Sequence, residues 1–503
     1  MGARMSSKSV ILDNSVPFNK DLTTKHPDKL VKAVEILWPD VKANAKIARE
    51  YERFPNHLKI ILLNLLHSHR IDPDMVISYS ADKNIYKNPK KDGSFILKYH
   101  SMVKIIDALS RLEYVETFVG YYDKSKGAGK RSRMRATAKL IDFSNLHACT
   151  FQIIDASIDK EGTIILRDAD KKAIGYKDDK DIIHMRKNLK LINERISNAF
   201  IGLCVPDDYL AEIMVKLRSK RSKGRMRYRK TLDFGKKSLI RVFNNGSFSD
   251  GGRFYGSWYQ SIPSADRKYI RIDDEPTCEL DFSGMHVKIM YANEGLNVPS
   301  DDVYKLDGIS TDARDILKKI FNILINAETE EKALRSIRRN FRRKDHPVLF
   351  SSDAITHGSI ITAFKEKHKS ISKYICSGHG VKLQAMDAQI AEEILLHLGD
   401  KGIVALPVHD SFIVKTVHRQ ELEDAMKAVT MSKYNQDFAI KGSDTAYKTD
   451  MATIRKQYPD EDIPKSEQEY ADSARKGCKT YNNLMEVWNT KHSDFHFVVI
   501  PSA

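Results

Sequence analysis

The sequence predicts an α+β protein of several domains, and three observations carry that reading. Apolar residues recur at helical spacing between residues 24 and 70, in LVKAVEILW and LKIILLNLLHSH. Near the other end, GIVALPVHDSFIVK sets two β-rich apolar runs on either side of the polar break His409-Asp410-Ser411, which predicts a hairpin. The length, 503 residues, corresponds to about three domains at roughly 150 residues each. Apolar residues make up 41% and charged residues 30%, an ordinary globular balance. No apolar run approaches the ~20 residues of a membrane span. The first residues lack the apolar stretch of a secretory signal, and Gly2 with Ser6 matches a myristoylation pattern only by chance. Five scattered cysteines without a CxxC pair exclude a disulfide framework and a zinc ribbon, so a cytoplasmic location is expected.

Charge points to the partner. Lys and Arg total 83 against 67 acids, a net charge of +16, which favours a polyanion, nucleic acid before membrane. The cations cluster in KSKGAGKRSRMR (124–135), KLRSKRSKGRMRYRKTLDFGKK (216–237) and RSIRRNFRRK (335–344), as phosphate contacts would.

The elements follow in order. Residues 1–90 form a helical N-terminal region. Within 91–150 a helix with Val103, Ile106, Leu109 and Leu112 on one face leads into a strand at 114–119, a glycine-rich basic turn and a second strand. That succession resembles a winged helix, whose basic wing lies along a DNA backbone. Lys124, Lys126, Lys130, Arg131, Arg133 and Arg135 are its candidate phosphate contacts; a protein-interaction module is the alternative. Residues 151–245 read as a connector, with FQIID and TIILRD as strands, followed by basic helix. Residues 246–450 carry the chemistry, and 451–503 form an extension without a motif.

In the fourth region, Asp281 follows the strand-like CEL and Asp410 stands at the hairpin tip. Two carboxylates brought together there would repel unless divalent cations lay between them, and an oxygen-rich site that keeps waters suits Mg²⁺. Two such ions clamp the attacking and leaving oxygens of a phosphoryl displacement. Taken singly, Asp281 is a strand-end residue and Asp410 a turn residue. Arg314, Lys318, Asn322 and Asn326 recur every four residues, so they share a helical face that could grip a triphosphate or simply face solvent. Ile316, Leu317, Ile320 and Ile323 are expected on the buried side.

These segments, in this order, resemble the palm and fingers of the family A DNA polymerases and the related single-subunit, phage-type RNA polymerases. Asp281-Phe282-Ser283 matches motif A, Arg314 and Lys318 match motif B, and His409-Asp410 match motif C. Upstream, Gly252-Arg253, Gln260-Ser261-Ile262-Pro263 and Arg267 follow the DNA polymerase order, and LQAMD (383–387) resembles the segment before motif C. The resemblance covers roughly residues 245–420. It departs where motif B has Asn322 and Asn326 for two aromatics, where His286 replaces a sugar-gating carboxylate, and where Ser411 follows His-Asp as in the RNA polymerase branch. The interval between motifs A and B is short, implying reduced fingers, and no proofreading motif precedes them.

The resemblance implies a right-hand palm with reduced helical fingers and a helical thumb near 180–245, behind the winged-helix-like module. It implies a metal-dependent nucleotidyltransferase, with template-directed DNA synthesis as the leading reading. Asp281 and Asp410 would hold two Mg²⁺ ions, with Mn²⁺ as a substitute. Arg314 and Lys318 would neutralise the nucleoside triphosphate, with Lys318 protonating the leaving pyrophosphate. The backbone at Phe282 would grip that triphosphate, and His286, Asn322 and Asn326 would line the nucleotide pocket. Arg253, Gln260, Gln384 and His409 would contact the DNA primer–template; other replication proteins are further partners, and a membrane is not. The alternatives are a single-subunit RNA polymerase or primase, and a non-catalytic replication initiator or DNA-binding adaptor.

Overall fold

The helical spacing near the start becomes two helices, α1 (Pro27–Asn44) and α2 (Arg53–Ile71). The computed structural model describes residues 15–20, 22–24, 27–48, 52–71, 75–80, 97–123, 128–146, 153–155, 163–219, 232–299, 302–442 and 477–492. Contacts divide the chain into two units, Met1–Lys160 with Asp207–Lys236, and Glu161–Pro206 with Lys237–Ala503.

In the first unit, α1 turns Leu30, Ala33, Val34, Leu37, Trp38 and Val41 inward, the stripe that a 3.6-residue period dictates. Helix α3 (Tyr99–Arg111) buries Met102, Ile105, Ile106 and Leu109. The buried face is therefore rotated from the one the sequence suggested: Val103 and Leu112 are only half-buried. The reason is packing, since Met102, Ile105 and Ile106 join one cluster with Leu58, Ile61 and Leu65 of α2. The first helices and residues 99–140 thus share a core, and the boundary expected near residue 90 does not separate two cores.

Its strands are β1 (Ser15–Pro17), β2 (Leu22–Thr24), β3 (Val76–Tyr79), β4 (Val115–Phe118), β5 (Tyr121–Asp123), β6 (Ala128–Lys130), β7 (Ser132–Ala136) and, after α4 (Ala138–Leu146), β8 (Ile153–Asp155). One sheet has the order β1-β3-β7-β4, and β2 pairs with β8. The antiparallel pairs β4–β7 and β5–β6 run on from each other as a hairpin, from Val115↔Ala136 to Asp123↔Ala128.

The second unit begins with β9 (Ile164–Arg167), β10 (Ala173–Ile174), α5 (Lys180–Ser197) and β11 (Ile201–Leu203). After α6 (Asp207–Ser219), which belongs to the first unit, it resumes with β12 (Ile240–Asn244), β13 (Ser247–Tyr255), β14 (Ile270–Ile272) and β15 (Glu275–Phe282). The stretch expected as a single helical thumb, 180–245, is therefore shared between the units, and residues 220–231 of it lie outside the described residues. Helices α7 (Met285–Asn293), α8 (Arg314–Asn326), α9 (Glu330–Asn340), α10 (His357–Lys367) and α11 (Gly380–Asp400) follow. The hairpin β16 (Leu406–Val408) and β17 (Ser411–Lys415), α12 (Arg419–Tyr434), β18 (Ile440–Gly442) and α13 (Lys479–His492) complete it. The sheets are β10-β9-β12-β13 and β11-β14-β15-β17-β16, with β18 on β15. The architecture is α+β.

Helix α11 is the spine of this unit, packing against β13, α12, α5, α7 and α8. Such a position should be wholly apolar, yet α11 buries Asp387 and Glu392. Glu392 accepts from Arg241 Nη1 of β12 at 2.7 Å and from Asn188 Nδ2 of α5 at 3.1 Å, while Arg241 Nε donates to the Gly252 carbonyl at 2.8 Å. Burial pulls the Arg241 pKa down and Glu392 pushes back. Removing one member of a buried pair leaves an uncompensated charge, at a cost of about 3–5 kcal/mol. Glu392→Ala should therefore lower the urea midpoint of the full chain, and more steeply than Glu393→Ala on the same helix.

Candidate active site

Strand β15 alternates as a half-buried strand must. Cys278, Leu280 and Phe282 face the core, and Glu279 and Asp281 lie on the other face. Antiparallel pairing with β17 sets Asp281 opposite Ser411, and β16 meets β17 at Val408↔Ser411, so the turn is His409-Asp410 alone. Ser411 belongs to the strand, not to the turn as the sequence suggested. His409 takes a φ of 63°, the left-handed conformation that a two-residue hairpin demands. The residue opposite Asp281 is thus the chain neighbour of Asp410, and the two carboxylates share one end of the sheet.

Their proximity is felt electrostatically. Burial, and then the Asp410 charge, push the Asp281 carboxyl up to about 6, while Lys441 and Lys318 pull the other way. Lys441 comes from β18, directly opposite Asp281, with Nζ 3.2 Å from Oδ2. Gly442 allows that approach: a Cβ there would lie 2.2 Å from Leu280 Cδ2. Sequence reasoning missed Lys441, because nothing local to AIKGS points to a site. Tyr304, also missed, is buried and pushed up to about 12, mainly by burial, with Asp410 and Asp281 adding to it.

Helix α8 presents the predicted face of Arg314, Lys318, Asn322 and Asn326. Its buried side is Leu317, Ile320, Phe321, Leu324 and Ile325, so Ile316 and Ile323 stand at the margin rather than inside. The physical reason is that Phe321 anchors the helix through its rings with Tyr304, Phe364 and His368. Lys318 is half-buried and is the member of this face whose charge bears on Asp281. Arg314 is exposed, ion-paired with Asp302, and lies 5.5 Å over the Tyr304 ring. Asn322 and Asn326 are exposed, and Asn326 Nδ2 donates to the Asn322 carbonyl at 2.7 Å.

A second cluster centres on Asp387, the fully buried acid of LQAMD. It pairs with Arg253 of β13, whose Nε donates to both carboxylate oxygens at 3.0 Å, and lies 2.8 Å from His286 Nε2 of α7. Burial opposes the Arg253 charge, but Asp387 outweighs it and holds the guanidinium above its usual pKa. Arg253 and His286 thus share one partner. Its place in LQAMD was the sequence signal for Asp387, and nothing there pointed to its partners. Gln260 donates to the Phe254 and Pro407 carbonyls at 3.0 Å each, bracing β13 against β16. Gln384 is half-buried on α11. His409 packs edge-on to Tyr255, and its surroundings and then Arg253 hold its pKa below the ordinary value. The Ser411 hydroxyl donates to Glu279 Oε1 at 2.5 Å, and Arg267 grips the same carboxylate at 2.7 and 2.8 Å.

The Phe282 ring is buried against Phe438, which leaves its backbone as the part a nucleotide could meet. In the first unit, Arg133 is 3% exposed, with its guanidinium turned onto the Arg131 and Ser132 carbonyls. Arg131 is exposed, and Arg135 pairs with Glu116 at 2.7 Å. Lys130 lies on β6 opposite Tyr121, while Lys124 and Lys126 fall outside the described residues.

Among the described residues no cluster of three or more His, Cys, Asp or Glu side chains is arranged to hold a metal. The donor set at Asp281 and Asp410 is two carboxylates, which fits a hard cation that keeps most of its waters. The Lys441 ammonium resting on Asp281 is itself a stand-in cation at that place. No helix among the described residues is long and apolar enough to cross a membrane.

No protein-family model matches this chain, and no curated protein does. One of 45 matching chains of known structure is the POL domain of Pol1 from M. smegmatis in complex with DNA primer-template and dNTP. The similarity has a TM-score of 0.30 at 11% identity, and it covers 54% of this chain and 56% of that one.

The raised pKa of Asp281 has a consequence for stability. A carboxyl at about 6 in the fold and 3.8 ordinarily favours the folded state while protonated, and that contribution fades as pH rises through 6. Asp281→Asn should stabilise the chain above pH 6 by on the order of 1–2 kcal/mol, discounted for partial exposure. The gain should vanish below about pH 4 in denaturant titrations run across that range.

Proposed function

We propose that this chain is a metal-dependent nucleotidyltransferase that extends a nucleic-acid 3′ end on a template, as a DNA polymerase without a proofreading domain. The observation that supports it most is the pairing of Asp281 and Asp410 at one sheet end, with Lys318 bearing on Asp281 from α8. In this reading the two aspartates hold two Mg²⁺ ions, which Mn²⁺ can replace. Bound there, the ions supply Lewis-acid stabilisation of the attacking and leaving oxygens. Lys318 neutralises the triphosphate and gives a proton to the departing pyrophosphate. Arg314 joins it by exchanging Asp302 for phosphate oxygens. Asp387 orients Arg253 toward the primer–template and fixes the His286 ring beside the sugar pocket, where Asn322 and Asn326 form the outer wall. His409 and Gln384 face the duplex, and Gln260 braces the wall that does so.

Synthesis of RNA is a second reading, favoured by one observation. His286 is drawn onto Asp387 rather than standing free as a gate. Primer extension with dNTPs and NTPs in parallel separates the two. For either, Asp410→Ala should reduce nucleotide incorporation by about three orders of magnitude or more, the several kcal/mol that metal positioning supplies. An Asp410→Ala chain that still incorporates nucleotides normally would falsify the nucleotidyltransferase reading.

The β4–β7 hairpin, with the basic residues of its strands, serves as a DNA-binding wing in the same proposal. Replacing Lys130, Arg131 and Arg135 together with Ala should flatten the salt dependence of duplex binding by about one unit of slope for each phosphate no longer neutralised. Arg133→Ala should instead lower stability, because that side chain is packed inside. Unchanged affinity and slope in the triple variant would make this hairpin a protein-interaction element.

A further inference from the structure

The carboxylate pair is electrically closed before any metal arrives. Asp281 and Asp410 bring two negative charges; Lys441 and Lys318 bring two positive ones. Lys318 belongs to the helix face read above as the triphosphate grip, whereas Lys441 has no place in that scheme. Its position is nevertheless specific. Antiparallel pairing sets it directly across from Asp281, and Gly442 beside it is the residue that lets β18 approach β15 so closely. Cross-strand pairs of opposite charge are favourable, and like charges left facing each other are not.

The ion pair is also loose. Its 3.2 Å is longer than the 2.7–2.9 Å typical of charge-assisted hydrogen bonds, and the Lys441 side chain is 55% exposed. A lysine so held can swing away on its flexible stem. Two divalent cations would bring four positive charges to the place where this ammonium sits, so the metals compete with the lysine for Asp281.

We propose that Lys441 is a positioning residue, a resident counter-cation that holds Asp281 beside Asp410 and is displaced when divalent cations bind. The inference rests on the nucleotidyltransferase reading of this site. It makes Lys441 a competitor of the metal, so removing its charge should tighten metal binding, the reverse of what damage to the site would do.

The test is Mn²⁺ binding to the full chain, measured by electron paramagnetic resonance of the free ion, without nucleotide or nucleic acid. Lys441→Met should bind Mn²⁺ about three- to five-fold more tightly than the unaltered chain, in keeping with the modest strength of a half-exposed ion pair. Lys441→Arg should bind it as the unaltered chain does. Lys441→Gln, which keeps a polar side chain, is the second neutral variant should the Met variant not fold. Unchanged or weaker Mn²⁺ binding in the neutral variants, while the unaltered chain binds Mn²⁺ and extends primers, would overturn the role of Lys441 and leave the enzyme reading standing. An unaltered chain that neither binds Mn²⁺ nor incorporates nucleotides would overturn both.

Discussion

Two carboxylates that repel each other at the end of one sheet are the constraint around which the second unit is built. Asp281 and Asp410 come together because β15 and β17 pair antiparallel and because the β16–β17 turn is only two residues long. That turn requires His409 to take a left-handed backbone, and β18 requires Gly442 to approach from the other side. The cost of the arrangement is visible in Asp281, pushed up to about 6 by burial and by its neighbour. Its compensation comes from cations on two separate elements, Lys318 and Lys441.

The walls around that centre depend on charges buried in pairs. Helix α11 carries Asp387 and Glu392 into the interior, where Arg253 and Arg241 meet them from successive strands. A buried ion pair adds little net stability over an apolar packing, but it tolerates little displacement, since either partner left alone is expensive. The two pairs lock β12 and β13 to the helix at a fixed register. Arg253, placed by that register, shares Asp387 with His286 of α7. Gln260 adds a neutral brace, with both donated bonds on backbone carbonyls.

The first unit follows a different logic. Its core is apolar, shared by α1, α2, α3 and the sheet, and one of its basic runs includes the cations of β6 and β7. Burial along β7 falls from Ser132, Arg133 and Met134 to Arg135 and Ala136, and this decides which of those cations can meet a partner. Arg133 is buried and Arg135 only half-buried, though both stand in the same basic run.

How much of this was legible in the sequence follows from the range of the forces involved. The hairpin around His409-Asp410, the strand that carries Asp281 and the common helical face of Arg314, Lys318, Asn322 and Asn326 were legible, because periodicity and turn chemistry act between near neighbours. The buried faces of α3 and α8 were placed about one residue off, because packing of α3 on Leu58 and of Phe321 on Tyr304, Phe364 and His368, rather than spacing alone, settles the rotation. The partners of the acids were not legible at all. Lys441 lies 160 positions from Asp281, and Arg253 lies 134 from Asp387. Only sheet registry and the passage of α11 through the interior bring them within bonding distance. By itself the sequence determined which residue types stand on which local element; the tertiary structure decided which charges face each other, because electrostatic pairing depends on distance in space and not along the chain.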